Sequence, residues 1–144
     1  MPTGECAFCR IAAGLTPAEV VLADDDVVAF LDDRPLFHGH CLVVPRAHHE
    51  TLADPPEPLV ATLFARVRLL TRAVEAATTA EGSFVAINNR VSQSVPHLHV
   101  HIVPRRKGDG LKGFFWPRTR YRDAAHAAET AESIRAALNR IDHR

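Results

Sequence analysis

Apolar residues return along the chain in two periods. From residue 60 they recur every three or four positions, at Val60, Leu63, Phe64, Val67, Leu70 and Val74. That spacing lays one apolar stripe along a helix running to about Ala80. Asp54-Pro55 precedes it, a capping carboxylate followed by Pro in the first turn. A second long helix is predicted behind Asp123, with Ala124, Ala128, Ala131, Ile134, Leu138 and Ile141 on its inner side. Shorter apolar runs over 20–23, 27–31, 40–45, 83–87 and 98–103 have the length and flanking turns of strands. Asp24-Asp25-Asp26 is the turn between the first two. Residues 9–13 form a short helix closed by Gly14. Two main helices and about five short strands that do not alternate strictly predict an α+β domain with a mainly antiparallel sheet.

Composition narrows this picture. A chain of 144 residues, 47% of them apolar, suits one domain over 1–144 with a core that needs no disulfides. Lys plus Arg balances Asp plus Glu at 17 each, so charge gives no case for DNA or a membrane surface as partner. No apolar run approaches the ~20 residues of a membrane span. The first ten residues lack a basic stretch leading into an apolar one, which points to the cytosol. Three cysteines, an odd number, argue against a disulfide framework. Nine histidines are many for this length, and seven of them fall in two groups, within 38–49 and 97–101.

One group is His97-Leu98-His99-Val100-His101. On a strand, positions two apart share a face. The three imidazoles therefore look one way, while Leu98, Val100 and Ile102 look the other, toward the helices. Three imidazoles in register are expensive to bury unpaired. Two chemistries suit them. Alternating neutral imidazoles can hold zinc, copper or iron. Alternatively, the middle one attacks phosphorus, its second nitrogen held by a partner, while a neighbour donates a proton or steadies the phosphoryl oxygens. Periodicity does not choose between them.

The wider string Gln93-Ser94-Val95-Pro96-His97-Leu98-His99-Val100-His101-Ile102-Val103-Pro104-Arg105 resembles the signature of the histidine triad (HIT) family. Val28-Ala29-Phe30-Leu31-Asp32 and the stretch from Gly39-His40 to His48 resemble its N-terminal half, and the resemblance covers about 6–106. It implies a HIT-like fold that hydrolyses or transfers a nucleoside monophosphoryl group, acting on dinucleoside polyphosphates or adenylylated small molecules. By resemblance His99 is the nucleophile, His101 a phosphate contact, His40 a fourth histidine beside the triad and Ser94 a hydroxyl near the leaving group. Asp32 matches the carboxylate for the ribose hydroxyls, which can accept from both at once. Asn88, or Asn89 one register on, and Gln93 match nucleotide and phosphate-loop contacts. The loop from Asn89 to Ser92 is shorter than the family's, and Ser92 stands where Gly is common. The resemblance also implies a homodimer that joins two sheets.

Cys6-Ala7-Phe8-Cys9-Arg10-Ile11 with Gly14 resembles the opening of zinc-containing bacterial members. On that resemblance zinc takes Cys6, Cys9, His48 and His97, in a structural role; His49 is the alternative to His48. Cys41 sits in an apolar run as a core residue. Between 105 and 122 lie seven basic residues (Arg105, Arg106, Lys107, Lys112, Arg118, Arg120, Arg122) around one acid, Asp109, with Phe114-Phe115-Trp116 among them. That segment suits either contacts to distal phosphates or an aromatic anchor in a dimer. His38, His126 and His143 suit ordinary surface positions. Two further readings stand beside the enzyme: a nucleotide-binding regulatory module with little catalysis, and a metalloenzyme with metal on His97, His99 and His101.

Overall fold

The computed structural model describes residues 3–111 and 118–142. Contacts divide the chain into two units, Met1–Asp109 and Gly110–Arg144. The motif-bearing stretch lies inside the first.

That unit is a five-stranded antiparallel sheet in the order β1-β2-β3-β5-β4. The strands are β1 Val20–Ala23, β2 Val27–Leu31, β3 Cys41–Pro45, β4 Gly82–Ala86 and β5 Val100–Arg105. Before them comes the short helix α1, Ala7–Ala12; between β3 and β4 comes α2, Glu57–Thr78. The α+β expectation and the strand count are met.

β2 and β3 are apolar at nearly every position because both faces of the sheet are covered. Val27, Ala29, Cys41, Val43, Val100 and Ile102 join Leu63, Val67, Leu70 and Val74 of α2 in one buried cluster. Val28, Phe30, Leu42 and Val44 face the other way and meet Cys6 and Phe8. Cys41 is a core residue as expected. Phe64, placed on the helix stripe by its spacing, stays 39% exposed.

Three expectations are corrected. Asp54 does not cap α2. Its carboxylate accepts from the Thr51 amide and hydroxyl at 2.8 and 2.9 Å, and Pro56 stands at the cap with no side-chain bond. A capping residue next to Pro serves the preceding turn equally well, and here it does. Second, β5 begins at Val100 rather than 98, because residues 97–99 bond to side chains and loops instead of a strand partner. Third, in the second unit Ile134, Leu138 and Ile141 of α3, Ala124–Asp142, are 59%, 54% and 62% exposed rather than on a buried inner side. Helical spacing marks an apolar stripe without naming what covers it. Asp123 does cap α3, accepting from the His126 amide at 2.8 Å.

Candidate functional site

His97 and His99 precede β5 and His101 lies on it, yet the alternation holds. Leu98, Val100 and Ile102 enter the cluster beneath α2. On the opposite side the His97 and His99 rings meet the Phe8 ring edge-on, centroids 6.1 and 5.0 Å away. What distinguishes three like imidazoles is the partner of each one's second nitrogen.

A carbonyl oxygen can only accept, so any ring nitrogen bonded to one carries the proton. His99 Nδ1 lies 2.7 Å from the His97 carbonyl and donates to it. In the neutral ring Nε2 is then an unprotonated lone pair. Burial pushes the His99 pKa down, opposed by that carbonyl bond and by Asp32.

His101 takes the opposite form through a relay. The Leu36 amide donates to His40 Nδ1 at 3.1 Å, which puts the His40 proton on Nε2. His40 Nε2 lies 3.0 Å from His101 Nδ1 and donates to it. His101 therefore carries its own proton on Nε2. That nitrogen is buried and has no partner among the described residues. Burial, with His99 and His40 nearby, pushes its pKa down to about 4, so the ring stays neutral. The site thus sets a lone pair on His99 beside an N–H on His101, ring centroids 4.9 Å apart.

Both rings line a cleft of about 840 Å³. Phe8, Ile11, Phe30 and Leu42 give it an apolar wall; Asp32 and Ser94 line it too. The Asp32 carboxylate accepts from the Arg34 amide at 2.9 Å and approaches His40 Nε2 at 3.7 Å. Asp32, Ser94, His40, His99 and His101 are thus brought together. Asn88 and Gln93 are not among the residues lining the cleft. The Gln93 side chain holds the loop, accepting from the Arg90 amide at 2.8 Å and donating to the Glu50 carbonyl at 2.7 Å. Asn89 likewise accepts from the Leu52 amide at 2.9 Å. Arg90 and Ser92 have φ of 66° and 61°, so Ser92 adopts the left-handed conformation that glycine favours. Sequence reasoning missed two parts of the site. Phe8 went unmarked between its cysteines. The Leu36 amide carries no side-chain signal at all.

His97 lies on the same side but does not line the cleft. Its Nε2 donates to the Pro45 carbonyl at 2.8 Å, which turns an Nδ1 lone pair toward Cys6 Sγ at 3.3 Å and Cys9 Sγ at 3.5 Å. His48 Nδ1 lies 3.3 Å from Cys9 Sγ. The four ligand atoms all fall within 4.8 Å of one another. A tetrahedral zinc with bonds of about 2.0–2.3 Å needs ligand atoms roughly 3.5 Å apart, so the donor set fits. The Pro45 carbonyl supplies the outer hydrogen bond such ligands use. His49 is not in the set; its carbonyl accepts from the Leu98 amide at 2.7 Å. Without a metal, burial and then Cys6 push the Cys9 thiol up to about 11; a bound dication reverses this by holding thiolates. Among the described residues the second such group is Asp32, His40 and His101. There the Leu36 amide keeps the His40 proton on the inward nitrogen, which opposes a metal. The trio His97, His99 and His101 is not assembled around one point.

Arg105 pairs with Asp109 at 2.6 Å, and Arg106 donates to the Thr78 and Thr79 carbonyls at the end of α2. The aromatic run Phe114-Phe115-Trp116 and His143 lie outside the described residues.

A family model described as the HIT domain matches residues 14–108. The chain is 36% identical over 109 residues to adenylylsulfatase HINT3 of Arabidopsis thaliana, a match spanning 74% of this chain and 55% of that one. It is 39% identical over 114 residues to protein hit of Bacillus subtilis, covering 77% and 78% of the two chains. Adenosine 5'-monophosphoramidase HNT1 of Candida albicans matches at 26% identity over 96% of this chain and 94% of its own. Among solved structures, a HIT-family protein from Bacillus subtilis superposes with TM-score 0.84 at 32% identity, covering 92% of this chain and 96% of that one. A zinc-bound histidine triad protein from Mycobacterium smegmatis does so with TM-score 0.72 at 35% identity, covering 99% of each.

Proposed function

The chain belongs to the HIT-domain family, and from that premise we propose that it cleaves nucleoside monophosphoryl conjugates through a covalent nucleotidyl group on His99. Nucleotide hydrolysis as a class follows from relatives named for it. The substrate proposed here is an adenylylated small molecule or a dinucleoside polyphosphate.

One observation carries the proposal. The His97 carbonyl fixes the proton of His99 on Nδ1 and leaves the Nε2 lone pair toward the cleft. The neutral nitrogen attacks the α-phosphorus as the bond to the leaving group breaks. The Nε2–H of His101 donates to a phosphoryl oxygen as charge grows there. Ser94 stands on the leaving-group side. Asp32 accepts from the ribose hydroxyls, and the apolar wall of Phe8 and Phe30 takes the base. Water then attacks the nucleotidyl-histidine and releases the nucleotide. Gln93 contributes by shaping the loop, together with Asn89.

We further propose a structural zinc on Cys6, Cys9, His48 and His97, a cytosolic setting in which the three free thiols stay reduced, and a homodimer formed at a sheet edge. The edges are β1 and β4, and Val85 on β4 is 41% exposed. A regulatory module would show none of the chemistry. Replacing His99 with Ala and measuring AMP release from adenosine phosphoramidate tests the proposal; turnover at the wild-type rate would sink it.

A further inference from the structure

We propose that Cys6 and Cys9 form a peroxide-sensitive clip, whose oxidation to a disulfide releases the metal and withdraws the support that aims His99. The second half rests on the nucleotidyl-transfer reading of His99.

The two thiols differ in access. Cys6 is fully buried. Cys9 and His48 border an open cleft of about 420 Å³, together with Arg10 and Arg46. With Cys6 sealed inside, this site thus borders open space through two of its four ligands. Its opening is also distinct from the nucleotide cleft, and only Arg10 borders both. A small oxidant therefore reaches sulfur without passing the substrate.

The corner is tied to the nucleophile three ways. His97 offers Nδ1 to the sulfurs and its carbonyl to His99 Nδ1, so one residue serves both centres. Phe8, between the two cysteines in sequence, packs edge-on against both His97 and His99. The Leu98 amide, between those histidines, is held by the carbonyl of His49, the neighbour of His48. Moving the sulfurs together shifts Phe8 and frees His97 to turn.

The chemistry needs a hydroperoxide. The Cys9 sulfur attacks the O–O bond and takes one oxygen as a sulfenic acid, while the rest leaves as alcohol or water. The Cys6 sulfur displaces that oxygen as water and closes the S–S bond. Two sulfurs lose one electron each, the peroxide gains both, two protons come from solvent, and the metal leaves as the dication. A C-x-x-C spacing permits this closure.

The test uses the full-length, zinc-loaded protein treated with hydrogen peroxide. The expected result is one zinc released for every two thiols lost, a linked Cys6–Cys9 peptide in mass mapping, and AMP affinity weakened about tenfold or more, the scale on which metal-support residues act. Dithiothreitol with added zinc restores both. A Cys9→Ser variant should not form the link. The proposal is overturned if the protein purifies without metal, if zinc stays bound under peroxide, or if zinc leaves while AMP binding is unchanged. Thiol and zinc readouts need no nucleotide. Failure of the functional reading shows separately, as untreated protein that does not bind AMP.

Discussion

Replacing His40 with Ala should cripple catalysis without touching the nucleophile. His40 receives the Leu36 amide on Nδ1 and passes its own proton toward His101 Nδ1 at 3.0 Å. Remove it, and His101 no longer has a reason to keep its proton on Nε2, the nitrogen proposed to meet the phosphoryl group. The lost bond is worth about 0.5–1.5 kcal/mol, and a buried acceptor left unpaired costs about 1–3 kcal/mol. Together these give roughly 1.5–4.5 kcal/mol, or about 10- to 2,000-fold in kcat/KM. The loss should fall mainly on kcat, because the His101 N–H strengthens its bond as charge builds on the phosphoryl oxygens. Initial rates on adenosine phosphoramidate supply the magnitude. Nitrogen-15 NMR of the imidazoles supplies the cause: His101 protonated at Nε2 in the wild type and as a mixture in the variant. Rates within about threefold of wild type would refute the relay, since a 10-fold loss is its lower bound. So would a large loss with His101 still protonated only at Nε2.

Ser92 sits at φ 61°, so Ser92→Gly should stabilise the protein by about 0.5–1 kcal/mol, seen as a higher thermal midpoint. Gly39 has φ 102°, and a Cβ there would meet Thr78 Cγ2 at 2.7 Å. Gly39→Ala should therefore cost about 2–4 kcal/mol in denaturant titration, by strain and overpacking just before His40. Burial lowers His101 from 6.5 to about 4, so the unfolded chain binds its proton first. Stability should therefore fall as pH drops from 6.5 toward 4, with a shallower fall in His101→Asn.

Much of this was legible in the sequence, for physical reasons. The period of two in 97–102 placed the histidines opposite Leu98, Val100 and Ile102, and burial on the sheet enforces that side choice. The stripe of α2 named Leu63, Val67, Leu70 and Val74 because a long helix must hide one face. Local ambiguity misled where one residue type serves two purposes, as Asp54 does. The loop contacts of Gln93 and Asn88 were transferred by resemblance, and such loops are set by bonds that no pattern announces. The division of labour among the histidines was out of reach in full. It depends on carbonyls and an amide at Pro45, His97 and Leu36, and backbone groups carry no letter in the sequence.

The central claim is that the His99 Nε2 lone pair attacks phosphorus. Rapid quench with phosphorus-labelled adenylyl substrate, followed by peptide mapping, tests it most directly. The account predicts a transient, acid-labile nucleotidyl group on the peptide containing His99, formed at least as fast as turnover and absent in His99→Ala. Label on another residue, or full turnover with no trapped label, would contradict it.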